Sequence, residues 1–338
     1  MKKNKKNLAN LFSIYKIVIV VIIVLSFIRV LTPAFAQDTE ADTTAYVGEI
    51  FGTKVSRQNY NFARAGIVLF GNKWGRRPKT AGELDKLVWE HLILSFIAFN
   101  QDITVPQEDV HAEISRTLAA EQAGFDWRED PGAYEQWVRR RTNVSTAVFE
   151  GEIRHMMQIE RLRRQMLKSI SAQIEVSSAE AREKFLREYN SLSVELIEFE
   201  QLRDAEEFFK QVKRNTNLWK KEKKRNPERF KRPGFVSLEF LIDLWGFPAE
   251  AAFAMMRRNS DDFYPPRPIY EGYAVFKILE KRPADESLFP GREQAYRDKV
   301  REIKAQQGLR SWIDQLTRDA GIRIYSPAEG EANSPPAH

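Results

Sequence analysis

The side chains that most often carry chemistry are sparse in this sequence. It holds no cysteine, which removes thiolate catalysis, disulfides and cysteine-ligated zinc together, along with the residue a lipoprotein anchor acylates. Its histidines are His91, His111, His155 and His338. None stands in a His-Glu-x-x-His pattern or beside another at ligand spacing, so no metal and no cofactor is expected. A Ser-His-Asp site would need His91, His111 or His155, and no serine sits in Gly-x-Ser-x-Gly. These three histidines are read as ordinary helix residues. Carboxylates are plentiful, but their spacing follows helix surfaces, and no acid/base pair stands out.

Two other groupings could bind rather than react. Met156-Met157 and Met255-Met256 suit either a core or an adaptable partner surface, and core is the simpler reading. Lys210 to Arg232 holds eleven Lys and Arg against Glu222 and Glu228. The plain reading is a solvated helix and loop. The sharper one is contact with an acidic lipid surface or an acidic client, with Trp219 and Phe230 inside the run and salt as the natural competitor.

The first residues set the compartment. Lys2, Lys3, Lys5 and Lys6 precede the apolar run Ile17 to Ile28, and Ala34-Phe-Ala36 offers a small-x-small cut site. That is the build of a secretory signal peptide over 1–36. The alternative is an uncleaved inner-membrane anchor, although a span needs about 20 apolar residues. The leader also explains the charge. The chain has 53 Lys and Arg against 47 Asp and Glu, and residues 1–36 hold six of the former and none of the latter. The mature chain is near neutral, so nucleic acid is not an expected partner.

Helical periodicity dominates up to residue 190. Leu84, Leu87, Val88, Leu92, Ile93 and Phe96 predict a helix over 81–100. Ile153, Met156, Ile159, Leu162, Met166 and Ile170 stripe a longer one over 146–174. Ser56 and Thr104 are candidate caps, and Ser177-Ser-Ala-Glu180 is a capping box. Gly71 to Thr80 reads as a loop. The pattern then changes: 193–199 reads as a strand, Asp204 as the cap of a helix, Pro265 to Pro268 as a turn, and Tyr273 to Leu279 as a strand. From Gln294 to Ala320 a long helix repeats Tyr296, Val300, Ile303, Trp312, Ile313 and Leu316. It cannot bury that stripe alone, and the nearest large partner is the N-terminal helical block. A discontinuous helical domain with an inserted α/β piece follows.

Several strings resemble the SurA/PpiD group of periplasmic folding factors. Val47 to Tyr60 is similar to its opening strand-Gly-strand unit, and Val88 to Ile114 to its helix pair. Gly234-Phe-Val-Ser237, Glu250 to Ala254 and Gly272 to Glu280 look like a parvulin (PpiC/rotamase) domain, and Arg292 to Tyr325 like the closing helix. The resemblance implies an α+β fold. Its parts are a mostly helical SurA-N-like chaperone domain over 45–190, a parvulin-like domain over 191–285, a C-terminal helix over 290–325 packing back on the first, and a disordered tail over 326–338.

One departure decides the functional reading. Parvulin isomerases carry a histidine on their first strand and another on their last. By alignment those positions are Leu196 and Ala274, and no histidine falls between 193 and 283. No catalytic residue is therefore assigned. Leu241, Phe247 and Phe253 remain as an apolar peptide-binding wall. The resemblance then implies a periplasmic chaperone for unfolded or nascent exported polypeptides, its parvulin-like domain an inactive second binding surface. An active peptidyl-prolyl isomerase with a rebuilt pocket and an envelope scaffold with one fixed partner are the alternatives.

Overall fold

The two ends of the described chain meet in one sheet. The computed structural model describes residues 46–74, 77–142 and 144–326; the leader at 1–36 and the tail beyond Ser326 lie outside the described residues. Strands β1 (Tyr46–Ile50) and β2 (Thr53–Ser56) form a hairpin. Its turn residues Phe51 and Gly52 both have positive φ, +50° and +71°, as a type I′ turn requires. Phe51 is held there by stacking on Phe96, centroids 5.1 Å apart. The last strand, β7 (Arg323–Ile324), pairs on the other side of β1.

Around this sheet stand helices α1 (Arg57–Trp74), α2 (Ala81–Asn100), α3 (Gln107–Ala120), α4 (Pro131–Thr142) and α5 (Thr146–Ala172). The α5 stripe is buried as its spacing predicts, at Ile153, Met156, Ile159 and Leu162. Ser56 accepts from the Asn59 amide at 3.1 Å and starts α1, which runs past Gly71 to Trp74 where a loop was expected. Thr104 does not cap α3. The N-cap is Pro106, with no side-chain bond. Long α11 (Glu293–Asp319) returns to this group. Its Trp312, Ile313 and Leu316 pack against Leu94, Ala98, Ile103, Ile159 and Leu162, and a Cβ on Gly308 would lie only 2.8 Å from Ile170.

Helix α6 (Ser178–Tyr189), opened by the complete Ser177–Glu180 capping box, leads into the α/β unit. There β3 (Ser191–Phe199), β4 (Phe230–Ser237), β5 (Phe263–Ile269) and β6 (Gly272–Arg282) form an antiparallel sheet in the order β4-β3-β6-β5. Residues alternate between its faces. Ile197, Phe199, Phe263 and Val275 pack under α7 (Leu202–Arg214) and α8 (Asn217–Arg225). Val194, Leu196, Ala274 and Phe276 pack under α9 (Leu238–Asp243) and α10 (Ala249–Arg257). The chain is thus an α+β protein of helices and two small antiparallel sheets.

Three further local expectations differ from the structure. Pro265 to Pro268 is not a turn but most of β5; proline is tolerated because β5 is an edge strand with no ladder on its outer side. Asp204 lies inside the first turn of α7, whose N-cap is Gln201. The basic stretch ends in a strand, β4, the opposite edge, where Lys231, Arg232 and Pro233 stand exposed. Charge and proline on both edges guard the sheet against pairing with further strands.

Candidate functional site

The register of β3 on β6 places the two aligned positions together. Leu196 faces Phe276, and Glu198 faces Ala274, so Leu196 and Ala274 are diagonal neighbours on one face of adjacent central strands. Both are closed in, at 3% and 0% exposure. What fills the space is apolar: Val194, Leu238, Leu241, Phe247, Ala252 and Met255 join the same core. Leu241 and Phe247 lie beneath the surface, and Phe253 is half-buried at its margin.

The accessible part of this face comes from residues the sequence reading did not single out. Leu244, directly after the short helix α9, is 71% exposed. Trp245 next to it is half-buried and rests on Phe240 at 5.4 Å and on Phe276 at 5.7 Å. Trp245 and Phe253, both half-buried and packed against the core, form its aromatic rim. Across the sheet, Tyr264 faces Phe276 and Arg267 faces Ala274. Among the described residues the buried side chains clustered on this face are apolar, and Glu198, half-buried, stands opposite Ala274. Chemically the face can desolvate an apolar side chain.

The histidines are elsewhere, in the helices. His111 on α3 lies 2.8 Å from Gln107 and edge-on to Trp127. His91 on α2 is buried, and desolvation, with His155 and Arg163 near it, lowers its pKa to about 3. Burial and then Arg154 lower that of His155. On α5, Glu152 is wholly buried, and no side chain answers either carboxyl oxygen. Desolvation raises its pKa to about 9, which the Gly66 backbone only partly opposes. A buried, protonated carboxyl was not visible in the helical spacing. Among the described residues no group of three or more His, Asp and Glu could hold a metal.

The basic stretch divides. Lys223 is tied to Glu195, a buried carboxylate that also accepts from Trp219 Nε1 at 2.7 Å. Burial pushes the Glu195 pKa up, but these two bonds outweigh it and the net shift is downward. Arg229 binds the Glu198 carbonyl and lies 4.5 Å from the Phe199 ring centroid. Trp219 is buried, and Phe230 meets it edge-on at 5.1 Å. Both aromatics belong to the core and are not held out for a lipid surface. Lys220, Lys221, Lys224 and Arg225 on α8 remain exposed. Of the methionine pairs, Met156 and Met255 are buried and their neighbours half-buried. Clefts elsewhere are small: about 310 Å³ between α5 and α11, lined by Leu167, Asp298 and Arg301, and about 240 Å³ beside the terminal sheet, lined by Tyr46, Tyr60 and Tyr325.

No family model matches the chain, and no curated protein matches it. Solved structures do. The chain is similar to the peptidylprolyl isomerase PrsA from Bacillus anthracis, with TM-score 0.41 and 13% identity over 71% of this chain and 100% of that one. It is similar to PrsA from Bacillus cereus, with TM-score 0.38 and 13% identity over 86% and 97%. A third likeness, with TM-score 0.34 and 14% identity over 83% and 99%, comes from work on PEB4 and Cj1289, two SurA-like chaperones of Campylobacter jejuni.

Proposed function

We propose that this chain is an exported chaperone that binds unfolded polypeptides, using the helices as one surface and the α/β unit as a second. The observation that carries the reading is the state of the two neighbouring strand positions: Leu196 and Ala274 are closed into an apolar core, and the accessible rim packed on that core is Trp245 and Phe253. Amide rotation has a barrier of about 18–20 kcal/mol. A catalyst must bind the twisted amide better than the planar one. An apolar rim binds an X-Pro segment but supplies no ordered polar network around the twisted amide, so it catalyses poorly. Exposed Phe99 and Val68 on the helical part add apolar contact area.

The signal-peptide pattern over 1–36 supports export to the periplasm, with an uncleaved inner-membrane anchor as the alternative. The exposed lysines and arginine of α8 supply a second, weaker contact with an anionic surface, electrostatic because Trp219 is withdrawn into the core.

The test pairs two assays on the purified full chain. Suppression of aggregation of chemically unfolded proteins, with X-Pro isomerisation at the uncatalysed rate, supports the reading. Acceleration of isomerisation comparable to a histidine-bearing parvulin would replace it with the isomerase alternative. Activity toward one protein and none toward other unfolded chains would replace it with the scaffold alternative.

A further inference from the structure

Strand β5 contains a bulge with a directional consequence. Tyr264 and Arg267 are three residues apart, which in a regular strand puts them on opposite faces. Their partners Phe276 and Ala274 are only two apart. The extra residue, within Pro265-Pro266, turns Arg267 onto the face that carries Tyr264, Phe276 and Ala274. Bulges commonly re-aim a side chain in this way.

Once there, Arg267 finds no anion. Its Nε is enclosed and donates to nothing. Its guanidinium lies 5.8 Å from the Tyr264 ring centroid, and it forms no ion pair among the described residues. The acid in the same cross-strand row, Glu198, is on β3 beyond Ala274, two strand spacings or about 10 Å away. Arg229 shows the contrast: its Nε and Nη2 both donate to one carbonyl. A guanidinium left with a dry, unanswered N–H beside an apolar surface is a receptor for a carboxylate, which a planar fork of donors matches in geometry and charge.

The geometry points to Arg267 as a specificity residue: the face at Trp245, which rests on Phe276 opposite Tyr264, selects peptide segments in which an Asp or Glu side chain adjoins the apolar residue that covers the rim. This rests on the proposal that the face binds polypeptide, and it adds a preference that proposal does not contain. The apolar residue covers the rim and excludes water, and the neighbouring carboxylate reaches the guanidinium.

Binding of two labelled, C-terminally amidated peptides to the full chain tests it by fluorescence anisotropy. They are identical except for Glu or Gln before a Pro-Phe pair. The Glu peptide is expected to bind about tenfold more tightly, the scale of one charge-assisted pair partly exposed to solvent. Arg267→Met should reduce it to the Gln peptide's affinity and leave the Gln peptide unchanged; Arg267→Lys should restore part of the difference. Equal binding of the two peptides, or a preference that survives Arg267→Met, overturns the inference while leaving the binding face intact. Trp245→Ala, with its fold checked by circular dichroism, separates the two claims. If it leaves both affinities unchanged, the peptides bind elsewhere, and the face and the inference fall together.

Discussion

Asn190 and Ala284 fasten the two chain crossings between the helices and the α/β unit: the Asn190 side-chain oxygen accepts the Ala284 amide hydrogen at 2.9 Å. Asn190 is buried. Its own amide donates to Leu186, and its carbonyl accepts from Leu238. One residue thus ends α6, starts β3 and holds the returning chain. Below it, Phe185 gathers Tyr189, Phe289 and Tyr296 at 4.7 to 5.6 Å, and Lys184 on α6 reaches Glu239 on α9.

Asn190→Leu removes the side-chain acceptor and leaves the half-buried Ala284 amide unanswered, a loss of about 1 kcal/mol. Protection of the Ala284 amide in hydrogen exchange should fall, while that of Leu238, bonded to the retained backbone carbonyl, should persist. Unchanged protection at Ala284 would show that this bond does not hold the junction.

Much of this arrangement was legible in the residues. The α5 stripe needed only its spacing, and the Ser177–Glu180 box formed as its residue types dictate. The unburied stripe of the last helix pointed to its partner, and Trp312 and Leu316 now sit on Leu94 and Leu162. That Leu196 and Ala274 share one face was not legible, because it depends on the register of β3 on β6. The edge strands were hidden because Pro233, Pro265, Pro266 and Pro268 read locally as breaks, and only the sheet order makes them edges. The exposure of Leu244 was hidden for a different reason. Six-residue α9 is too short for periodicity to separate buried Leu241 from exposed Leu244. The direction of Arg267 depends on a bulge, which no spacing reveals.

The buried titrating groups give stability a defined pH profile. Glu152 has a folded pKa near 9, raised above its ordinary value of 4.5. Its contribution is fully present below about pH 4.5 and is lost as pH rises toward 9. His91 has a folded pKa near 3, depressed from 6.5. Its contribution is present above about pH 6.5 and is lost as pH falls toward 3. The two slopes oppose between pH 4.5 and 6.5, so maximal stability lies in that window as far as these groups decide it. Glu152→Gln keeps the shape and removes the titration. Denaturant unfolding at pH 6 and pH 8.5 should show a drop on the order of a few kcal/mol in the parent that is largely absent in the variant. An equal drop in both would assign the alkaline loss to other groups.

The exposed α8 cations make a separate prediction. With Trp219 in the core, attraction to an anionic surface is Coulombic and screened within about 8 Å at physiological ionic strength. Co-sedimentation with phosphatidylglycerol vesicles should be evident at low salt and lost by about 0.5 M salt. Substituting Lys221, Lys224 and Arg225 together by Gln should abolish it without altering thermal unfolding, since all three are exposed and none forms a salt bridge among the described residues. Binding that resists salt would mean an apolar contact elsewhere.

The terminal sheet depends on one glycine. A Cβ on Gly48 would lie 2.3 Å from the Arg323 carbonyl oxygen and 2.8 Å from the Trp89 ring. Neither neighbour is free to yield, since Arg323 belongs to the β1–β7 ladder and Trp89 to the core beneath it. Gly48→Ala must therefore part β7 from β1. The Tyr325 amide bond to the Val47 carbonyl, 3.0 Å, and the Tyr325 hydroxyl bond to Glu49, 2.9 Å, should go with it. The loss should be about 1–3 kcal/mol, the scale of an overpacked site. Because α11 keeps its contacts through Trp312 and Ile313, the break should stay local. Proteolysis should speed up after residue 320, and the α/β unit should keep its exchange protection. Should protection collapse through α11 as well, the strand pairing and the helix packing would form one cooperative unit, and the closing strand would anchor the whole C-terminal return.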